Sequence, residues 1–199
     1  MKNILLILIL ISLTGCAFTS ESVDISYLPK AGVSPIKEAD SVIVGLSLFD
    51  DRQDKSNKVS SKKNGFGVET APILANEDIN VTFRKILEQE LIARGFKIGS
   101  PAGVYVDVNL LKFWNDFKLG FFAGDAVAEL NMSILVKGTN GKASYSKIIT
   151  AEGMESNIQL MTGDNAKLAL DRALANGMNQ LLDDPMFFQR LIKSSDQGS

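Results

Sequence analysis

Val104-Tyr105-Val106-Asp107-Val108-Asn109-Leu110 and Ala126-Val127-Ala128-Glu129-Leu130-Asn131-Met132-Ser133-Ile134-Leu135-Val136-Lys137 decide the fold class of this chain. Val104, Val106, Val108 and Leu110 alternate with Tyr105, Asp107 and Asn109. Ala126, Ala128, Leu130, Met132, Ile134 and Val136 alternate with Glu129, Asn131, Ser133 and Lys137. A period of two is that of a strand with one face buried. Asn140-Gly141 follows and marks a tight hairpin turn. A third strand is expected from Lys142 to about Met154, with Ala143, Tyr145, Ile149 and Ala151 near alternate positions.

Upstream of these strands, Ser41 to Phe49 reads as another strand, with apolar residues on both faces. Asp50 to Ile73 is rich in Asp, Lys, Ser, Asn and Gly and reads as one long irregular loop. A helix follows, with Asn76 as N-cap, Glu77 and Asp78 in the first turn, and Ile79, Phe83, Ile86, Leu87 and Leu91 at helical spacing. Gly95 is its expected stop, and Phe96 to Ile98 a short strand. Downstream, a second helix is expected from about Asp164 to Leu182, with Leu170, Leu174, Met178, Leu181 and Leu182 as its apolar stripe. Pro185 opens a last short helix whose Phe187, Phe188, Leu191 and Ile192 fold back on the core. Segregated strands and helices predict an α+β two-layer sandwich: a mostly antiparallel sheet with two main helices packed on one face. Its other face is expected to be partly polar, through Asp107, Asn109, Glu129, Asn131, Ser133 and Lys137.

The chain begins with Lys2 and an almost unbroken Ile/Leu run from Ile4 to Leu13. About 10 residues suit the apolar core of a signal peptide and fall short of the ~20 that span a bilayer. Leu13-Thr14-Gly15-Cys16 follows at once. This tetrapeptide resembles the lipobox of bacterial lipoproteins, which implies cleavage after Gly15 and acyl chains, palmitate among them, on Cys16. Such chains convert a soluble domain into an anchored one. Ala17, where an Asp would mark inner-membrane retention, implies by the same resemblance the outer membrane of a Gram-negative envelope. Residues 1–15 are then a cleaved signal peptide, 16–40 a flexible tether from the lipidated Cys16, 41–193 a single periplasm-facing domain, and 194–199 a disordered tail. The tether carries Pro29, Gly32 and Pro35. A flexible chain of that length averages about 27 Å end to end.

Composition narrows the chemistry. The 199 residues include no His, and Cys16 is the only Cys. Ser-His-Asp and Cys-His catalysis and ordinary zinc sites are therefore excluded. With Cys16 acylated, no disulfide can form. Loss of Lys2 with the leader takes the formal charge from −2 to −3. That balance offers no basis for nucleic-acid binding, and nothing calls for a metal or cofactor.

Three clusters remain as candidate sites. Asp50, Asp51 and Asp54 cluster with Arg52 and Lys55 and could bind a cation or act as an acid/base pair, though a solvated turn with mutual charge pairing is the favoured reading; Asp50, Asp51 and Asp107 are the only thinkable hydrolytic centre, which needs two carboxyls roughly 5–9.5 Å apart in a cleft. Lys55, Lys58, Lys62 and Lys63 form a candidate basic loop for anionic headgroups or cell-wall polymers, or else a solvated loop. The segment Phe113 to Asp125 holds the only Trp, Trp114, and four of the eleven Phe. Trp114, Phe117, Phe121 and Phe122 are candidate partner-binding residues if exposed; in the other reading Phe113, Phe117 and Phe121 continue strands and cap the core.

From Leu87-Glu88-Gln89-Glu90-Leu91-Ile92-Ala93-Arg94-Gly95-Phe96 onward, the chain resembles the YajG family of bacterial lipoproteins. The Val-rich strand, the Ala126/Ala128/Leu130 strand, Asn140-Gly141, Glu152-Gly153 and the Asn165-Ala166 helix start follow in the same order. The resemblance implies an outer-membrane-associated, periplasm-facing lipoprotein with a mixed α/β domain and no catalytic residues. The function expected is a non-enzymatic binding or assembly module for another envelope component. A small-molecule or glycan carrier is the alternative, and a carboxylate-dependent cell-wall hydrolase the weaker one.

Overall fold

The alternation of Val104 to Lys137 forms the centre of a five-stranded sheet in a computed structural model, which describes residues 18–120 and 123–196. The elements are β1 (Glu21–Val23), a 3-10 turn (Ala39–Ser41), β2 (Ile43–Asp50), β3 (Lys58–Lys63), β4 (Glu69–Ala75) and α1 (Ile79–Ala93). Then come β5 (Lys97–Ile98), β6 (Val104–Leu119), β7 (Gly124–Gly138), β8 (Ala143–Ile158), α2 (Gly163–Leu182) and α3 (Pro185–Asp196). The large sheet has the order β5-β2-β6-β7-β8. β6, β7 and β8 form an antiparallel meander, and β2 runs parallel to both β5 and β6. The two-layer α+β arrangement with helices on one face is the one the patterning predicts.

The buried face of the sheet carries Val104, Val106, Val108, Leu130, Met132, Ile134 and Ile149. α1 lays Phe83, Leu87 and Leu91 on it, with the Phe83 ring edge-on to Phe113 at 5.4 Å. α2 adds Leu170, Leu174, Met178 and Leu181. Its small residues Ala166, Ala169, Ala173 and Gly177 let the helix approach the sheet closely. Asp78 caps α1, accepting hydrogen bonds from the amides of Asn80 and Val81, so the cap stands two residues beyond the expected Asn76. Gly95 ends α1 at φ +95°, a left-handed conformation that favours glycine. Thr162 caps α2. α3 returns Phe187, Phe188 and Leu191 to the core, and Phe188 stacks on Phe96. This helix continues to Asp196, and Ser194, expected in a disordered tail, is buried and donates to Ser144 Oγ at 2.7 Å.

β8 is an outer strand of the sheet, and an open strand edge is an aggregation hazard. α2 covers it in a regular way. Arg172, Asn176 and Gln180, one helical turn apart, donate to the carbonyls of Met154, Glu152 and Thr150.

Two expectations are corrected. Asp50 to Ile73 is not one irregular loop: it contains the antiparallel hairpin β3–β4. β3 reads Lys-Val-Ser-Ser-Lys-Lys, and four consecutive residues from Val59 to Lys62 are buried because the strand lies between the end of β6 and its partner β4. Polar side chains buried in this way give no period-two signal. The segment expected to be a free tether is held on the domain from Glu21 onward. β1 pairs parallel with β4, and Ser26 donates twice to the Asp171 carboxylate, at 2.8 and 2.7 Å. Lys30 pairs with Asp183 at 2.8 Å, and the Ile36 amide donates to the Arg94 carbonyl at 2.9 Å. The strap thus touches both α2 and α1, with Val23 buried in the common core.

Candidate functional site

The site originates in one irregularity of β6. Leu110 pairs with Met132 but Lys112 pairs with Asn131, so Leu111 is the extra residue of a β-bulge. The bulge reverses the parity of the strand. Before it Val104 to Leu110 face the core at even positions; after it Phe113, Asn115 and Phe117 do so at odd ones. Lys112, Trp114 and Asp116 therefore turn to the opposite, helix-free face. The bulged Leu111 is left 44% exposed beside them.

A cleft of about 490 Å³ opens here, lined by Arg52, Gln53, Asp54, Lys58, Leu111, Lys112, Phe113 and Trp114. Its wall is the turn between β2 and β3. Arg52 is buried and holds that turn in place: Nε and one terminal nitrogen donate to the two Asp50 carboxylate oxygens at 2.9 and 2.8 Å, and the latter nitrogen also donates to the Ser56 carbonyl at 3.0 Å. Burial would raise the Asp50 carboxyl, but the hydrogen bonds and charge of Arg52 outweigh it and hold it below its ordinary value. Hydrogen bonds from Ser56 depress Asp54 likewise. The Lys58 ammonium lies 5.4 Å from the centre of the half-buried Trp114 ring and 2.7 Å from Glu69. Lys112 pairs with Glu129 at 2.5 Å. A flat aromatic face beside cations and carboxylates can bind an amphipathic, charged or hydroxyl-bearing group.

The chain matches the model of a family described as "Uncharacterized lipoprotein" over residues 29–191. The chain belongs to this lipoprotein family. It is 21% identical over 187 residues to the uncharacterized lipoprotein YajG of Escherichia coli K12, covering 92% of this chain and 88% of that one. Among solved structures, protein XCC0632 of Xanthomonas campestris superposes with a TM-score of 0.57 at 8% identity, covering 91% of this chain and 99% of that one. That likeness is one of fold. The YajG resemblance read from the sequence thus agrees with the family match. Among the described residues no helix of this lipoprotein is long and apolar enough to cross a membrane.

The structure distributes the other candidate residues unevenly. The Phe113 and Phe117 side chains are buried in the core, Phe113 at the floor of the cleft. Phe121 and Phe122 lie outside the described residues, as does Cys16. Asn115, between the two inward rings, is fully buried; its amide donates to Ser60 Oγ at 2.9 Å, and that hydroxyl donates to the Asn115 carbonyl at 2.9 Å. The candidate basic loop is largely strand β3, and its cations are spent on neighbours. Lys58 pairs with Glu69, buried Lys62 with Glu21 at 2.5 Å, and Lys63 with Asp116 at 2.5 Å. Lys55 stands exposed in the turn. Asp50 and Asp107 do not share a face. Asp50 shares the core-side parity of Leu110, its partner on β6, whereas Asp107 lies on the opposite face and pairs with Lys137.

Sequence reasoning singled out Trp114 and Lys58 but missed Arg52, Gln53, Leu111 and Lys112 as walls of the same cleft. A signal was present: apolar residues move from even positions through Leu110 to odd ones at Phe113 and Phe117, which requires one inserted residue between them.

Proposed function

We propose that this lipoprotein is a non-enzymatic binding module of the Gram-negative envelope, anchored in the outer membrane by acyl chains on Cys16 and facing the periplasm. Through the cleft around Trp114 it engages another envelope component. The observation that carries this reading is the bulge at Leu111, which turns the only Trp of the chain out of an otherwise well-packed strand and into a cleft walled by a rigid, Arg52-clamped turn. A pre-ordered aromatic anchor beside charged groups is what a recognition surface needs. The cleft opens to solvent at exposed Leu111 and Asp54, which favours a macromolecular partner over a carried small molecule.

The test is crosslinking in living cells from a photoreactive residue at position 114 and from another at exposed position 55. Recurrent capture of one envelope protein from position 114, lost in the K112E variant, would support the module. Capture of only wall fragments or glycans would move the role to a glycan-binding one. Capture of nothing at position 114 by a folded protein would remove the cleft from consideration.

A further inference from the structure

The strap from Glu21 onward fixes which end of the domain faces the anchor. The Glu21 carboxylate accepts the Gly163 amide at the start of α2 and pairs with buried Lys62 at 2.5 Å. Glu21 also begins β1, in register with Ile73 of β4. Glu21 stands five positions after Cys16, with four residues between them. Whatever path the chain follows there, these five steps span at most about 18 Å. If Cys16 carries acyl chains, this end of the domain is held against the membrane surface.

That same end exposes large apolar side chains. Phe18 is 67% exposed, three residues before Glu21. Phe66 and Val68, in the β3–β4 turn, are 94% and 60% exposed. Leu160, between β8 and α2, is 69% exposed. These come from three separate parts of the chain and are tied together. The Asn64 amide donates to the Val68 carbonyl, which closes the turn; the Lys63 amide donates to Met161 Sδ; and the Gly163 amide reaches Glu21. Apolar side chains scattered singly are ordinary on a protein surface, but four gathered at one end are a patch of the kind that marks an interaction site. Side chains of this kind enter the headgroup–acyl boundary to a depth of about 5–10 Å.

We propose that Phe18, Phe66, Val68 and Leu160 form a membrane-docking surface, which seats the domain on the bilayer in one orientation and leaves the Trp114 cleft on the side wall. The occupant is the lipid interface itself. The inference rests on the reading of Cys16 as the anchor, since the short leash is what brings this end to the lipid.

The experiment uses the acylated full-length protein in phosphatidylethanolamine–phosphatidylglycerol vesicles with brominated acyl chains. An environment-sensitive fluorophore is placed at V68C or L160C, and for comparison at K142C, in the hairpin at the other end of β7. Flotation with the vesicles and the mass of the Cys16 peptide report the anchor independently. The expected result is a blue shift and several-fold stronger bromine quenching at positions 68 and 160 than at 142, reduced by F66S. Vesicle-bound protein with equal, water-like signals at all positions would overturn the docking surface and leave the anchor intact. Protein that carries no acyl chains and fails to float would overturn the anchor and the docking surface with it. Probes that are buried in native envelopes but water-exposed on vesicles would assign this end to a protein partner, which overturns the lipid contact.

Discussion

Gly153 of β8 lies directly under Ala169 of α2: a Cβ at position 153 would stand 2.1 Å from the Ala169 carbonyl oxygen. The next atoms, the Ala173 amide nitrogen at 2.3 Å and the Arg172 carbonyl carbon at 2.9 Å, are also backbone and cannot swing aside. The helix sits this close because its facing residues are small, and the closeness is what lets Asn176 and Gln180 reach the β8 carbonyls.

G153A should therefore destabilise the domain by about 1–3 kcal/mol, the usual cost of overpacking a well-filled core. G65A is the control, since a Cβ there meets nothing within 4 Å. Surface changes of that sort stay within about 0.5 kcal/mol. Urea denaturation of both variants checks the contrast; equal stabilities would show that α2 shifts freely on the sheet.

The caps on β8 make a second expectation. Asn176 donates to the Glu152 carbonyl at 2.7 Å and Gln180 to the Thr150 carbonyl at 3.0 Å. Each alanine substitution should cost about 0.5–1.5 kcal/mol. The N176A/Q180A double variant should also aggregate faster at equal fraction folded, because it uncovers strand edge. Light scattering at matched stability measures this, and a stable but unaggregated double variant would show that Arg172 alone guards the edge.

Trp114 and Phe117 lie three residues apart on one strand and should behave oppositely. Phe117 is buried in the core, so F117A should lose about 3–5 kcal/mol. Half-buried Trp114 should tolerate alanine with a much smaller loss while abolishing partner capture from the probe at position 55. Thermal melts beside in-cell capture distinguish the two; a W114A protein that unfolds would make that ring structural.

The dependence of stability on pH follows from the ion pairs. Asp50, Asp54, Glu69, Glu77 and Asp184 all titrate below their ordinary values in the folded chain. Stability from a depressed carboxyl is present above its unfolded pKa, about 4, and is lost as pH falls through the lower folded value. Tyr27 and Tyr145 are shifted the other way, by burial first and then by hydrogen bonds to Glu90 and Asp184. Their contribution is present below the ordinary tyrosine pKa, about 10, and is lost as pH rises beyond it. With no histidine to titrate between, denaturant stability should be flat from about pH 5 to 9. It should fall on both sides, and D50N should flatten part of the acid limb. A slope centred near pH 6.5 would contradict this.

Local patterning was enough to read β6, β7, β8, both long helices and the Gly95 stop, because each is set by a period or a cap within its own few residues. The resemblance of Leu13-Thr14-Gly15-Cys16 to a lipobox is of the same kind: a motif read along the chain. Two features were decided by the tertiary structure alone, and a third, the bulge at Leu111, was marked in the sequence only by a shift of apolar parity. The Lys-Ser-rich strand β3 is buried by partners far away in sequence, Asn115 for Ser60 and Glu21 for Lys62, so its composition resembles a loop. The strap through Ser26 and Ile36 is held by hydrogen bonds to α2 and α1 and by Val23, Ile25, Tyr27 and Ile36 against the core, and no regular local period announces it. The bulge at Leu111 decides which aromatics face inward. One inserted residue leaves composition and hydrophobicity unchanged, yet it exchanges the two faces of everything that follows, and so separates Trp114 from Phe117.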